Sequence, residues 1–360
     1  MHIPYCRSKC RYCDFYSVCS LKTMDEYTNA VIKTIHGFGK KYHRKADTLY
    51  FGGGTPTLLG NKNLTRIIDA VCECFDLDDQ AEITCETNPS AETDSLFPML
   101  RSAGINRLSI GMQSAVGNEL EMLARHHTKK DVANCVNSAR KAGIDNISLD
   151  VMLGIPLQTE KSLDETLRFA ESLNPSHISA YILKVEPKTI FFKLQQEGKL
   201  DLPDEEKIVG FYMQTTEFLE RSGYSQYEIS NFSKPGKESR HNLKYWNDTE
   251  YLGIGSAAHS FMDGKRFFFQ NSIDEFCNLQ NPISDGTGGD FFEYAMLRLR
   301  LCEGLREDLV FSRFGHPIPK KIRKKAELFE KHGLMQVAAD KVAITRKGFL
   351  LSNSIIGELL

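Results

Sequence analysis

The sequence predicts a mixed α/β fold: a parallel sheet, open or closed into a barrel, followed by a smaller C-terminal domain. Three observations point there. From about Asp47 to Ser230, apolar β-prone runs alternate with amphipathic helical stretches, the pattern that builds parallel sheets. Polar residues collect at the C-terminal ends of those runs, the edge on which parallel α/β folds assemble their sites. Beyond about Asn231 the alternation stops.

Taken in order, the expected strands are "DTLYF", "EITCE", "RLSIGM", "NISLDVM", "HISAYIL" and "YSQYEIS". Between them "NLTRIIDAVCECF", "KDVANCVNSARKAG" and "EKIVGFYMQTTEFLERSG" repeat apolar residues at helical spacing. The last two run into Gly143 and Gly223, as helix C-termini commonly do. Near the end, "PKKIRKKAELFEKHG" reads as a basic helix, "LMQVAADKVAIT" as a short hairpin, and a final helix closes an outline similar to a winged-helix module. Lys320, Lys321, Arg323, Lys324 and Lys325 are read as a solvated helix face, so no nucleic-acid partner is expected. The units share no solenoid-type repeat.

Composition excludes several classes. At 360 residues the chain can bury one large core and a smaller one. Hydrophobic residues make up 41% and charged residues 26%, which argues against disorder. A net charge of −2 gives no whole-protein attraction to nucleic acid or anionic membrane. No apolar run approaches a membrane span, and no basic-then-apolar leader opens the chain. Ten cysteines in that setting are expected to be reduced cytoplasmic thiols. Most of Cys72, Cys74, Cys85, Cys135, Cys277 and Cys302 are expected to be small buried hydrophobes.

The opening "MHIPYCRSKCRYCDFYSVCS" concentrates the chemistry. Cys6, Cys10 and Cys13 follow C-x3-C-x2-C, and Cys19 stands apart. A zinc site would need a fourth ligand, from His2 or Cys19. A redox pair in "CRYC" lacks the usual strand–helix context. An iron–sulfur cluster of four irons held by three thiolates would keep one iron open. The loop "FGGGTP" is neither a P-loop nor a G-x-G-x-x-G fingerprint, and its backbone suits a small polar group such as an amino-acid moiety. Glu86, Gln113, Asp150 and Glu228 share its edge of the sheet. Each alone would read as a cap or a solvated loop residue; together with the glycines they imply one polar cavity.

With Tyr12 before the last cysteine, the C-x3-C-x2-C run resembles the signature of radical S-adenosylmethionine proteins. "HIPYC", "CRYCDF", "FGGGTPT", "GMQS", "DVMLGIPLQT", "YEISNF" and "HNLKYW…YLGIGSAAHS" resemble one branch of them. That branch contains oxygen-independent coproporphyrinogen III oxidase and the HemW-type heme chaperones. The resemblance runs from His2 to about Ser260, and more weakly through "YAMLRLRLCEGL". It implies a partial parallel (β/α) barrel over residues 1–232 and a C-terminal domain over 233–360 that covers the barrel mouth. It also implies a 4Fe–4S cluster on Cys6, Cys10 and Cys13, with S-adenosylmethionine on the open iron. Gly53, Gly54, Thr55, Glu86, Gln113, Arg125 and Asp150 match the family's contacts to that cofactor, and Tyr12 an aromatic lying against it. The family carries a tyrosine just before "HIP", where this chain has Met1.

Two functions remain in view within that resemblance. One is a chaperone that carries heme as cargo to acceptor proteins, respiratory ones among them, touching membranes only peripherally through those acceptors. The other is an oxidase that decarboxylates coproporphyrinogen III in porphyrin biosynthesis through a 5′-deoxyadenosyl radical. The oxidase motif continues to a further cysteine where this chain has Phe15, the chaperone-like form. "RHNLKYW" also matches the chaperone branch and implies that His241 contacts heme, beside Asn242, Tyr245 and Trp246; His259 is a second candidate.

Overall fold

The computed structural model describes residues 1–89 and 93–360. Eight strands form one sheet: β1 (His2–Ile3), β2 (Lys45–Gly53), β3 (Asp76–Thr87), β4 (Arg107–Gln113), β5 (Asn146–Leu153), β6 (His177–Ile182), β7 (Ser225–Gln226) and β8 (Asn231–Ser233). The order is β1-β2-β3-β4-β5-β6-β8-β7. Pairs from β1 to β6 are parallel, and β8 joins β6 antiparallel. Since β1 and β7 do not pair with each other, the barrel is partial.

Strand periodicity explains the two faces of this sheet. Phe51, Cys85, Leu108 and Ile147 lie in one register row, and Ile110, Leu149, Ile178 and Phe232 in another. All eight are fully buried, with 0% exposure. They form the core together with apolar residues of helices such as Met24–Tyr42, Gly60–Cys74, Lys129–Lys141 and Glu160–Ser172. The alternate rows are polar. Tyr50, Thr84, Arg107 and Asn146 make one, Glu86, Ser109, Ser148 and His177 the next, and Asp150, Ser179 and Asn231 a third. A sheet apolar on its helix-covered face and polar on the other encloses a lumen rather than a second core.

Helix starts follow side-chain caps. Thr128 with Asp131, and Thr159 with Ser162, close capping boxes on Lys129–Lys141 and Glu160–Ser172. Asp204 caps Glu205–Arg221, and Ser239 caps the short helix Arg240–Trp246.

Beyond β8 the chain forms two small antiparallel sheets. One joins Ile283–Thr287, Lys265–Phe268 and His259–Met262; the other joins Leu305–Arg306, Lys341–Ile344 and Met335–Val337. The second carries the expected hairpin, flanked by helices Lys320–Glu330 and Ser352–Leu359. No helix among the described residues is long and apolar enough to cross a membrane.

The structure corrects three expectations. "YSQYEIS" is not a sixth parallel strand: only Ser225–Gln226 is extended, and it pairs antiparallel with β8. Of the six scattered cysteines, Cys85 and Cys135 are buried, whereas Cys72 is exposed and the others are intermediate. Glu228 leaves the sheet edge, bridging to Leu301 of the C-terminal part instead.

Candidate functional site

A cavity of about 640 Å³ opens at the C-terminal edge of β2–β6. The segment after β1 crosses this edge and brings Cys6, Cys10, Tyr12 and Cys13 to its wall. Backbone bonds hold it there, with Gly54 N–H donating to the Ile3 carbonyl at 2.8 Å and Thr55 N–H to the Tyr5 carbonyl at 2.7 Å. These contacts explain the glycines more fully than the sequence could. Gly53 has φ +106°, and a Cβ there would stand 2.3 Å from the His2 ring; at Gly54 it would stand 2.5 Å from the Tyr5 carbonyl oxygen. The glycine run lets the cysteine segment lie directly on the strand end.

A chain of polar contacts leads inward from the thiols. Thr55 Oγ1 donates to Cys6 Sγ at 3.7 Å, and Asn88 Nδ2 donates to Thr55 Oγ1 at 3.0 Å. Arg125 donates to Asn88 Oδ1 through Nη1 and to the Tyr12 hydroxyl through Nη2 at 2.9 Å. Arg125 Nε is buried without a partner. Burial pushes the Cys13 thiol above its ordinary pKa.

The carboxylates occupy the opposite wall. Glu86 accepts from the Tyr50 hydroxyl at 2.8 Å and from Gly53 N–H at 3.2 Å. Burial raises its pKa to about 7, and the charge of Asp150 adds to the shift. Asp150 accepts from Ser109 at 3.1 Å, and burial raises its pKa to about 6. Gln113 accepts from the Tyr181 hydroxyl at 2.7 Å and holds a left-handed backbone, φ 65°, uncommon for a side chain of its kind.

Gly53, Gly54, Thr55, Glu86, Gln113, Arg125 and Asp150 therefore line one cavity with the three cysteines and Tyr12. Glu228 does not line it, and neither does His241. His241 lies in the first turn of Arg240–Trp246 rather than on a loop. Its ring stacks on Tyr50 with centroids 5.1 Å apart, behind the cavity wall. Nδ1 contacts Thr48 Oγ1 at 2.8 Å and Nε2 contacts the Tyr245 hydroxyl at 3.0 Å. Burial lowers its pKa to about 3, so the ring is neutral at ordinary pH. His259 is exposed on its strand, stacked on Phe268.

Sequence reasoning missed Asn88, Tyr50, Tyr181, Ser109 and Arg107. Most were findable by counting back in twos from the residues it did find. Ser109 and Arg107 precede Gln113 on the same face of β4, and Tyr50 stands two before Gly52.

The donors decide which group fits. Among the described residues, no three His, Cys, Asp or Glu side chains converge on one ion. His2 Nε2 is engaged with the Tyr16 carbonyl at 3.0 Å, and Cys19 is exposed. A four-ligand zinc set therefore has no members beyond the three thiols. Three free thiols along one segment suit a multi-iron cluster, whose thiolates stand farther apart than those of one ion. The buried unpaired Arg125 Nε and the two carboxylates suit a small zwitterion beside it.

Residues 1–170 match the model of the radical SAM superfamily, and residues 290–351 that of the HemN C-terminal domain. The chain is 35% identical to the heme chaperone HemW of Bacillus subtilis, over 100% of this chain and 98% of that protein. It is 39% identical to the heme chaperone HemW of Synechocystis, over 85% and 78% respectively. Its fold is similar to coproporphyrinogen III oxidase (HemN) from Escherichia coli, with a TM-score of 0.85 at 24% identity, covering 99% and 88% of the two chains.

Proposed function

The chain belongs to the HemW heme chaperone family of radical SAM proteins, and we propose that it binds heme and delivers it to acceptor proteins. The observation that carries this reading is end-to-end likeness to the Bacillus chaperone. The thiol segment agrees with it, since Phe15, 67% exposed at the cavity rim, stands where the oxidase motif has its further cysteine. Fold alone does not separate the two functions, because the oxidase shares it.

In this reading Cys6, Cys10 and Cys13 would hold the 4Fe–4S cluster. Gly53, Gly54 and Thr55 would receive the methionyl part of S-adenosylmethionine through backbone and hydroxyl groups. Arg125, held by Asn88 and Tyr12, presents a fixed positive charge toward that zwitterion. Glu86 and Asp150 would accept from its donors, and Gln113, oriented by Tyr181, would offer an amide. Bound together, the cluster and S-adenosylmethionine supply one-electron radical chemistry. The protein's own part is to position these groups and keep water from them.

Heme would be held at His241 through a neutral imidazole, with Tyr50 stacked on the ring and Tyr245 edge-on to it. Freeing Nε2 for iron requires that it leave Tyr245. Residues 1–232 would form the cofactor barrel and 233–360 the domain bearing the heme histidine. A cytoplasmic location, with respiratory hemoproteins as acceptors met at the membrane surface, completes the proposal. The test is transfer. Heme-loaded protein mixed with membranes from heme-starved cells should pass its Soret absorbance to the membrane fraction, and retention of all heme would exclude delivery.

A further inference from the structure

The floor of the lumen holds a buried cation whose Nε makes no hydrogen bond within the protein. Arg107, at the start of β4, is 2% exposed and lines the cavity from below. Its Nε has no hydrogen-bond partner, and the carboxylate of Asp150 in the same cavity feels its charge without a hydrogen bond to it. The nearby carboxylates accept their hydrogen bonds from other groups, although Asp150 feels the Arg107 charge. Glu86 accepts from Tyr50 and Gly53, Asp150 from Ser109, and Glu82 from the backbone N–H groups of Arg240 and His241. The cavity lining near Arg107 includes the Ser109 and Ser179 hydroxyls.

A desolvated guanidinium is strongly unfavourable unless an anion accepts its donors, and its planar fork matches a carboxylate. Arg107 is also separate from the groups that face the thiols: Arg125, not Arg107, joins the polar chain to Tyr12 and Asn88. Its field reaches Asp150, Tyr50 and His177.

We propose that the lumen floor is a carboxylate-binding site, with Arg107 as the anion anchor and Ser179 as a flanking hydroxyl donor. The carboxylate belongs either to a small free acid or to a propionate of a porphyrin. The porphyrin source rests on the heme reading above; the free-acid source does not.

Calorimetric titration of the anaerobically reconstituted full-length protein distinguishes the two. One arm compares propionate with propionamide, and the other compares heme with heme dimethyl ester. The site requires that at least one acid bind tenfold or more tightly than its uncharged counterpart. That preference must disappear in Arg107→Met and survive in part in Arg107→Lys, which retains the charge. Preference in the heme arm assigns the carboxylate to the porphyrin, and preference confined to propionate assigns it to a free acid. Absence of an Arg107-dependent preference in both arms overturns the site, and the wild-type acid-versus-neutral comparison decides even if Arg107→Met fails to fold. Heme binding that ignores Arg107 and esterification would sink this inference in the heme arm while leaving the chaperone reading intact. Propionate binding that depends on Arg107, with no heme bound at all, would do the reverse.

Discussion

Tyr50 stacks on His241 with ring centroids 5.1 Å apart and planes 23° apart. The same tyrosine donates to Glu86, so one side chain contacts both a cavity carboxylate and His241. If Glu86 contacts S-adenosylmethionine and His241 contacts heme, as proposed, the two sites meet at a single ring.

The histidine prediction follows from its two occupied nitrogens. His241→Ala should lower heme occupancy or shift the Soret band. Tyr245→Phe removes the partner of Nε2 and should tighten heme binding about two- to tenfold, the scale of one neutral hydrogen bond. Absorbance titration measures both, and an unchanged Soret spectrum in His241→Ala would remove His241 as the ligand.

The cluster prediction concerns the thiol segment. Ala at Cys6, Cys10 or Cys13 should abolish the 4Fe–4S signal after anaerobic reconstitution, whereas Cys19→Ala, at an exposed position, should leave it. S-adenosylmethionine should perturb the electron paramagnetic resonance spectrum of the reduced wild-type protein. Dependence on Cys19 with no cofactor effect would contradict the assignment.

The cofactor contacts can be weighed singly. Glu86→Ala and Asp150→Ala should each weaken S-adenosylmethionine binding by about 1.5–3 kcal/mol, roughly ten- to a hundredfold, with the cluster retained. Calorimetry on the reconstituted variants is the check; wild-type affinity in both would dismiss the carboxylate wall as a cofactor site.

The raised pKa of Glu86 makes a statement about stability. Its folded value of about 7 lies above the ordinary 4.5, so between those values the folded chain holds a proton that the unfolded chain has released. Stability from this residue is therefore present at low pH and lost as pH rises from about 4.5 to 7. Buried neutral histidines such as His177 act in the opposite sense, losing stability as pH falls, and cancel in a difference measurement. Glu86→Gln should gain on wild type across that window by about 2 kcal/mol, allowing for its partly exposed position. Denaturant titrations of both proteins without cofactor at pH 5 and pH 7.5 give the difference; an unchanged gap would mean that Glu86 ionises normally.

Much of this was legible in the sequence because β-strands write their two faces in alternate letters. "RLSIGMQ" carries Leu108, Ile110 and Met112 toward the helices, and Arg107, Ser109 and Gln113 toward the lumen. The thiol spacing and the glycine run were readable for the same local reason. What the sequence did not disclose depends on distant packing. Glu228 sits near Ser230 and Asn231, which line the cavity, yet it bridges to Leu301 in a segment more than seventy residues on. Asn88 gained its place between Thr55 and Arg125 only through contacts 33 and 37 residues away. His241 was visible as a motif, but its stacking on Tyr50 required the Ser239-capped helix to pack against β2, a contact that no local pattern encodes.

The central claim is that this chain carries heme rather than oxidising coproporphyrinogen III. One anaerobic preparation, reconstituted with iron and sulfide and given reductant and S-adenosylmethionine, can be divided between the two substrates. With heme, the account requires a stable Soret band that remains with the protein through gel filtration. With coproporphyrinogen III, it requires no protoporphyrinogen, because Phe15 replaces the oxidase-type cysteine. Turnover of coproporphyrinogen III together with failure to retain heme would contradict the account and assign the chain to the oxidases.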